Sequence, residues 1–216
     1  MRRKRLFIHD GNTDGSVVLN WAGNPEGEFK LFAEAFHSVG KEAVTALRQN
    51  PYFGIDGIPI EDFRAYPIVF LYRHALELYM KAVILIGAPM LTIRKMTAID
   101  RQALLKDHDL DTLTKHLERV FEAYGWEWDL GAPDFKSLED FRKAVSELNA
   151  LDKGSNAFRY PTNTKGDASL PSNFRFNLFA FCEVLDSLLL ALQGAAIGAS
   201  EELEATHETL SEGTNE

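Results

Sequence analysis

Residues 66–86 read YPIVFLYRHALELYMKAVILI, and this stretch decides the fold. It is apolar on nearly every side of a helix, which is typical of a helix buried in the middle of a domain. Gly87 and Pro89 follow it and predict the end of the helix. We therefore expect a central helix that begins at about residue 61 or 66 and ends at 86. Four polar residues interrupt the apolar stretch: Arg73, His74, Glu77 and Lys81.

Hydrophobic periodicity predicts four further helices. Apolar spacings of three and four place them over residues 29–47, 109–124, 137–151 and 173–197. Asp109 and Ser137 are typical N-cap residues, and Gly125 is a typical helix stop. The last helix is apolar nearly all round, so it is either core or a subunit interface. The sequence thus predicts an all-α fold, an up-and-down bundle of about five helices.

Composition divides the chain into three parts. Residues 1–27 are rich in Gly, Asn and Asp and predict an N-terminal arm, with a short strand around 17–19. Residues 28–198 form the predicted helical bundle. Residues 199–216 are acidic, with few large apolar side chains, and predict a disordered tail.

Charge and cysteine content restrict the functional class. The formal charge is −9 and the pI about 5.2, which argues against loose, phosphate-driven binding of nucleic acid but leaves a small RNA-handling cleft open. Cys182 is the single cysteine and predicts a buried, inert thiol. The apolar run that follows the basic start is too short for a signal peptide. Both hydrophobic helices contain charged residues, so neither is expected to span a membrane. We expect a soluble, cytoplasmic protein without a membrane partner.

The polar residues of the central helix share one stripe. Arg73, Glu77 and Lys81 are spaced four apart, and His74 lies three residues before Glu77. One interpretation is a solvated face with two ion pairs, each stabilising the helix by roughly 0.2–0.5 kcal/mol. The other is that the stripe faces inward and meets a polar partner.

Asp107-His108-Asp109-Leu110 opens the next long helix. It is either a capping sequence in which His108 orders the turn, or a site in which the imidazole donates or accepts a proton near neutral pH. His108 and His116 are eight residues apart and no third ligand has recognisable spacing, so no metal site is predicted.

Residues 156–161 read NAFRYP, and Lys165-Gly166-Asp167 follow closely. Pro161 favours an extended Tyr160, so the backbone that carries Arg159 is stiff. Arg159 either pairs with Glu77 or an aspartate and pins the loop, or offers its guanidinium to a phosphate or carboxylate.

The remaining conspicuous pattern is an apolar stripe, which we interpret as core or dimer seam: Phe174, Phe181, Leu185, Leu188 and Leu192. The sequence contains no Gly-x-Ser-x-Gly turn and no Gly-rich loop that could cradle a phosphate. No cofactor is predicted.

Taken together, the polar segments resemble the HEPN superfamily, helical-bundle proteins linked to nucleotide and RNA processes. The resemblance rests on residues 73–82 in the central helix, on His108-Asp109-Leu110 at the next helix start, and on 158–161 (FRYP) before the last helix. It covers roughly residues 60–195.

The resemblance implies an up-and-down bundle that is frequently a homodimer. Many members are metal-independent ribonucleases that act as toxins or in antiviral defence, and others bind a nucleotide or a partner nucleotidyltransferase. The nuclease members carry an Arg-x4–6-His motif near a helix start. Here no histidine follows Arg159 before His207, although Arg101 and His108 satisfy the spacing. The motif therefore does not predict catalysis.

Three functional hypotheses follow. The first is a HEPN-like dimer of a defence or toxin–antitoxin type system that binds a nucleotide, RNA or protein partner. The residues expected to bind it are those of the polar cluster, Arg73, His74, Glu77, Lys81, His108 and Arg159, together with Asn156 and Tyr160. The second is a ribonuclease in which His108 is the general base and Arg159, Arg101 or Arg73 stabilises the phosphorane charge. The third is a structural or interaction protein whose polar cluster only holds the helices in register.

Overall fold

The computed structural model describes residues 17–19, 27–55, 62–128 and 135–212. Within these ranges the chain forms α-helices and no β-strand beyond an isolated bridge, which confirms the all-α class. The described helices are α1 (Glu28–Arg48), α2 (Ala65–Ile93), α3 (Arg101–Lys106), α4 (Leu110–Tyr124), α5 (Leu138–Leu151) and α6 (Leu178–Glu212). Their number exceeds the expected five because α3 forms a short helix of its own. Asp100 caps it, accepting hydrogen bonds from the backbone N–H groups of Gln102 and Ala103.

The apolar α2 occupies the centre of the fold. It packs against α1, α4 and α6, while α4 also packs against α5 and α1 against α6. Tyr72, Leu78 and Ile84 lie on different sides of α2 and are all buried. Burying a large apolar side chain of this kind stabilises the fold by about 1.5–3 kcal/mol. Most of the core is therefore organised around this helix.

The end of α2 differs from the expectation, because the helix passes Gly87 and Pro89 and ends at Ile93. A Cβ at position 87 would lie 2.3 Å from Cγ1 of Val120, so Gly87 allows α4 to approach closely and does not stop the helix. Pro89 removes one backbone hydrogen bond. Burial of Met90 and Leu91, 2% and 0% exposed, offsets that loss.

Helix α6 begins later and ends later than the expected 173–197. Asn177 accepts a hydrogen bond from the backbone N–H of Ala180 (3.1 Å) and marks the start. Beyond residue 198 the helix is held by the Tyr124 hydroxyl, which donates to the Ala199 carbonyl (2.9 Å), and by Trp126, whose indole N–H donates to Glu202 Oε1 (2.8 Å). The segment 199–212, expected as a disordered tail, is thus helical; residues 213–216 lie outside the described residues.

Other local expectations have mixed outcomes. Asp109 and Ser137 are N-caps of α4 and α5, and Gly125 ends α4 with φ of 69°. Residues 17–19 are exposed and not in a strand, and most of the expected arm lies outside the described residues. Of the apolar stripe, Leu185, Leu188 and Leu192 are buried in the core.

Two helices are long and apolar enough to cross a membrane, judged by length and composition: α2 and residues 178–211 of α6. Core helices of soluble proteins satisfy the same criterion, and α2 is mostly buried within the bundle. The fold is compatible with a soluble protein.

Candidate functional site

The charged stripe of α2 faces the interior. Arg73, Glu77 and Lys81 are at most 2% exposed. Arg73 Nη1 donates to Glu77 Oε2 at 2.5 Å, and Lys81 Nζ donates to Glu77 Oε1 at 2.9 Å. Burial by itself would raise the pKa of Glu77, but Lys81 and Arg73 hold it below its ordinary value. The interpretation of a solvated face is therefore wrong.

The two buried cations also bind backbone carbonyls of other segments. Arg73 Nη2 donates to the carbonyl oxygens of His108 (2.6 Å) and Asp152 (3.2 Å). Lys81 Nζ donates to the Leu105 carbonyl at 3.2 Å. These bonds attach the α3–α4 connection and the end of α5 to the central helix. Much of this network consists of mutually satisfied contacts, which is an arrangement that holds helices in register.

Asp152 completes the charge balance of the buried cluster. Its carboxylate is 2% exposed, with Oδ2 3.5 Å from Arg73 Nε. Its other oxygen accepts hydrogen bonds from the backbone N–H groups of Asn156 (2.6 Å) and Ala157 (2.9 Å). Two carboxylates thus face two cations, and the start of the 156–161 segment is tied to the same cluster.

His108 is the accessible member of this cluster. Its Nδ1 lies 2.9 Å from Glu77 Oε1, while its side chain is 50% exposed. Because Glu77 is anionic, His108 Nδ1 carries the proton and donates a hydrogen bond to the carboxylate. The other ring nitrogen, Nε2, is not used in this contact. A buried carboxylate therefore fixes the orientation of an imidazole that solvent can reach.

The N-cap of α4 fixes the backbone beside His108. Asp109 Oδ1 accepts from the backbone N–H of Asp111 (3.1 Å), and Asn149 Nδ2 donates to the same oxygen (2.9 Å). Lys153 Nζ lies 2.9 Å from Asp109 Oδ2. Burial by itself would raise the pKa of Asp109. The hydrogen bonds from Lys153 and Asn149 outweigh that effect, so the pKa lies below its ordinary value. The capping and the functional interpretations of this segment are compatible.

Arg159 lies in a separate surface cluster. Its Nε donates to the Ser155 carbonyl (2.7 Å) and its Nη2 to Asn156 Oδ1 (2.8 Å), within its own loop. The guanidinium carbon lies 5.4 Å from the centre of the Phe70 ring and 5.7 Å from that of Tyr160, which is 56% exposed. Among the described residues Arg159 pairs with neither Glu77 nor an aspartate.

His74 belongs to a partly buried aromatic group. It meets Phe36 edge-on with ring centres 4.5 Å apart and stacks on Phe70 at 5.5 Å. Its Nδ1 is buried without a hydrogen-bond partner among the described residues. Burial lowers the pKa of His74, so the imidazole is neutral at pH 7. His74 therefore contributes a neutral ring packed between Phe36 and Phe70.

Metal and thiol chemistry find little support in the described part of the chain. No group of three or more His, Cys, Asp or Glu side chains there could hold a metal ion. Cys182 is buried, and burial raises the pKa of its thiol to about 12, so the thiolate is scarce at neutral pH.

A second polar group joins three helices and was not foreseen from the sequence. His37 Nε2 on α1 lies 2.6 Å from Asp186 Oδ1 on α6, and the Tyr72 hydroxyl on α2 donates to the same oxygen at 3.1 Å. Burial, with Cys182 and Asp186 close by, raises the pKa of Tyr72. The available signal was the position of His37 on the apolar face of α1, between buried Ala33 and Gly40.

Comparisons of the chain with protein-family models, with curated proteins and with solved structures give no match. The HEPN resemblance therefore rests on the sequence motifs, and it stays a prediction.

Proposed function

We propose that the protein is a HEPN-like binding module whose ligand, a nucleotide, RNA or protein partner, contacts His108. One observation carries this proposal. The imidazole is half-exposed, whereas the carboxylate that orients it, Glu77, is buried between Arg73 and Lys81. A side chain whose orientation is already fixed by a hydrogen bond loses little conformational freedom when it binds a ligand.

The chemistry of His108 suits an anionic ligand. As the neutral ring, Nε2 accepts a hydrogen bond; as the protonated ring, it donates one to a phosphate or carboxylate. Behind the ring, the charges of Arg73 and Lys81 are balanced by Glu77 and Asp152. The ring is therefore the member of the cluster whose protonation can match the charge of the ligand. The overall charge of −9 favours a ligand with few phosphates over a long polyanion.

Arg159 is a second recognition element in this proposal. Its hydrogen bonds to described residues use two N–H groups, and a guanidinium carries five. Stacking on Phe70 holds its plane, and planar guanidinium groups suit phosphate and carboxylate. Asn156 and the exposed Tyr160 lie beside it.

The motif resemblance supports the wider setting of this proposal. It favours a cytoplasmic homodimer in a defence or toxin–antitoxin type system, with a nucleotidyltransferase-like protein as one class of partner. Light scattering coupled to gel filtration tests the dimer directly. A monomer at all protein concentrations would remove that part of the proposal.

The binding test is calorimetry and thermal shift against nucleotides and short single-stranded RNAs. We expect a raised melting temperature for the wild type and at least tenfold weaker binding for His108→Ala. The matched control is His207→Ala, an exposed histidine on α6. Arg159→Ala is compared with Arg142→Ala, an exposed arginine on α5. Absence of any response at millimolar ligand would refute nucleotide and RNA binding.

The Glu77–His108 contact also favours a second candidate, a metal-independent ribonuclease. A carboxylate that orients a histidine is a common arrangement for a general base. Arg101 or Arg159 would then stabilise the phosphorane charge, since Arg73 is buried and engaged. Purified protein that leaves RNA intact, with His108→Ala indistinguishable from the wild type, would rule this out.

A further inference from the structure

An aromatic cleft lies away from His108. It has a volume of about 940 Å³ and is bordered by the turn after α1, the N-terminal end of α2 and the segment before α6. Phe158 and Phe179 are its more deeply buried rings. Four rings in its lining expose large parts of their surface, namely Phe63, Tyr66, Phe174 and Phe176, at 63%, 37%, 37% and 42%.

The exposed rings form two pairs on different segments. Phe63 and Tyr66 stack with centres 5.7 Å apart and an interplanar angle of 23°. Phe174 and Phe176 are 5.5 Å apart at 31°. Aromatic surface is costly to leave in water, and a concentration of it in one cleft is typical of a binding site.

Polar side chains also line the same cleft, among them Asn177. Arg175 lies between Phe174 and Phe176 in the sequence, is exposed, and forms no ion pair within the described ranges. Asp62 and Asn173 contribute a carboxylate and an amide. Largely apolar walls with a small number of polar groups are characteristic of small-molecule sites, and the volume lies in the usual range.

We infer that the cleft binds a nucleoside monophosphate, with the base stacked on the aromatic rings and the phosphate paired with Arg175. Every nucleobase has a face that stacks on aromatic side chains, and guanidinium suits phosphate. Among the described residues of the lining there is one cation, Arg175, and one carboxylate, Asp62, which suits a single phosphate better than a polyanionic strand. The inference takes its ligand class from the proposed function and adds a second nucleotide site, whose described lining does not include His108.

The test is calorimetry with the four nucleoside 5′-monophosphates, the matching nucleosides and a short single-stranded RNA. We expect Phe176→Ala to weaken binding of a monophosphate by at least about tenfold. Phe32→Ala, which removes a ring that is 54% exposed on α1, should leave it unchanged. Arg175→Ala should weaken the monophosphate and not the nucleoside. Because all three side chains are exposed, the variants are expected to keep the wild-type melting temperature, which is measured alongside.

The outcomes separate the two proposals. If monophosphate binding falls with Phe176→Ala and is unaffected by His108→Ala, the cleft is supported and His108 is not the nucleotide contact. If binding falls with His108→Ala and is unaffected by Phe176→Ala and Arg175→Ala, the cleft inference is overturned while the proposed function stands. Tighter binding of RNA than of every monophosphate overturns the mononucleotide assignment. If none of these ligands binds, the cleft inference is overturned.

Discussion

Arg73 Nη1 lies 2.5 Å from Glu77 Oε2 in an ion pair whose side chains are 0% and 2% exposed. Removing one partner of a buried pair leaves an uncompensated charge, which typically costs about 3–5 kcal/mol. Glu77→Leu leaves Arg73 with only the Asp152 carboxylate and removes the carboxylate that Lys81 contacts, so we expect a loss of about 3–5 kcal/mol in the free energy of unfolding. Urea unfolding at pH 7 measures it.

The control for this prediction is an ion pair at the surface. Arg48 and Glu183 are also in contact, but their side chains are 48% and 64% exposed. Glu183→Ala should therefore change the unfolding free energy by no more than about 1 kcal/mol. Equal losses in Glu77→Leu and Glu183→Ala would contradict the claim that burial gives the inner pair its importance.

Gly87 allows α2 and α4 to approach each other, and this makes a prediction of its own. Gly87→Ala places a methyl group 2.3 Å from Val120 Cγ1, so the helices must shift, at a cost of about 1–3 kcal/mol. Gly194→Ala in α6 meets no atom within 4 Å and should stabilise the protein by roughly 0.5–1 kcal/mol through helix propensity. Thermal unfolding of both variants gives the comparison; stabilisation by Gly87→Ala would show that the contact is absent.

His74 predicts a pH dependence of stability. Burial lowers its pKa in the folded protein below the ordinary value of 6.5. The unfolded chain therefore takes up more protons as the pH falls, and the folded state loses stability below about pH 6.5. His74→Phe keeps a ring between Phe36 and Phe70 and should reduce that loss. Urea unfolding at pH 7.5 and 5.5 tests this; His116, whose pKa burial also lowers, retains part of the effect in the variant.

The C-terminal part of α6 gives a fourth prediction. Trp126 donates a hydrogen bond to Glu202, and Leu203 packs against the core. Trp126→Ala should speed amide hydrogen exchange in residues 199–212 and leave exchange near Leu188 and Leu192 unchanged. Exchange in 199–212 that is already complete at the shortest time in the wild type would instead favour the disordered tail that composition predicts.

The sequence predicted the helices and the shared stripe of Arg73, Glu77 and Lys81 because both follow from local spacing. It could not decide which way the stripe faces, since the partners are the carbonyls of Leu105 and His108 and the end of α5, brought close by tertiary packing. The end of α2 was predicted too early for the same reason. The local signals of Gly87 and Pro89 are outweighed by contacts with α4.

The aromatic cleft could not be predicted from hydrophobic periodicity. Its rings come from the turn after α1, the start of α2, residue 158 and the segment before α6. No single stretch carries a recognisable spacing. Arg159 was predicted to be held by a stiff backbone, and its contacts with Ser155 and Asn156 show a loop that holds its own guanidinium.

Arg73 holds the carbonyl of His108 at 2.6 Å, and Glu77, the ion-pair partner of Arg73, holds the ring at 2.9 Å. The position of this surface imidazole is thus set by two buried residues. Exchanging the interior pair for an apolar pair, which many proteins tolerate, would here also release the histidine. Substitutions at positions 73 and 77 therefore alter the surface at His108 as well as the stability of the fold.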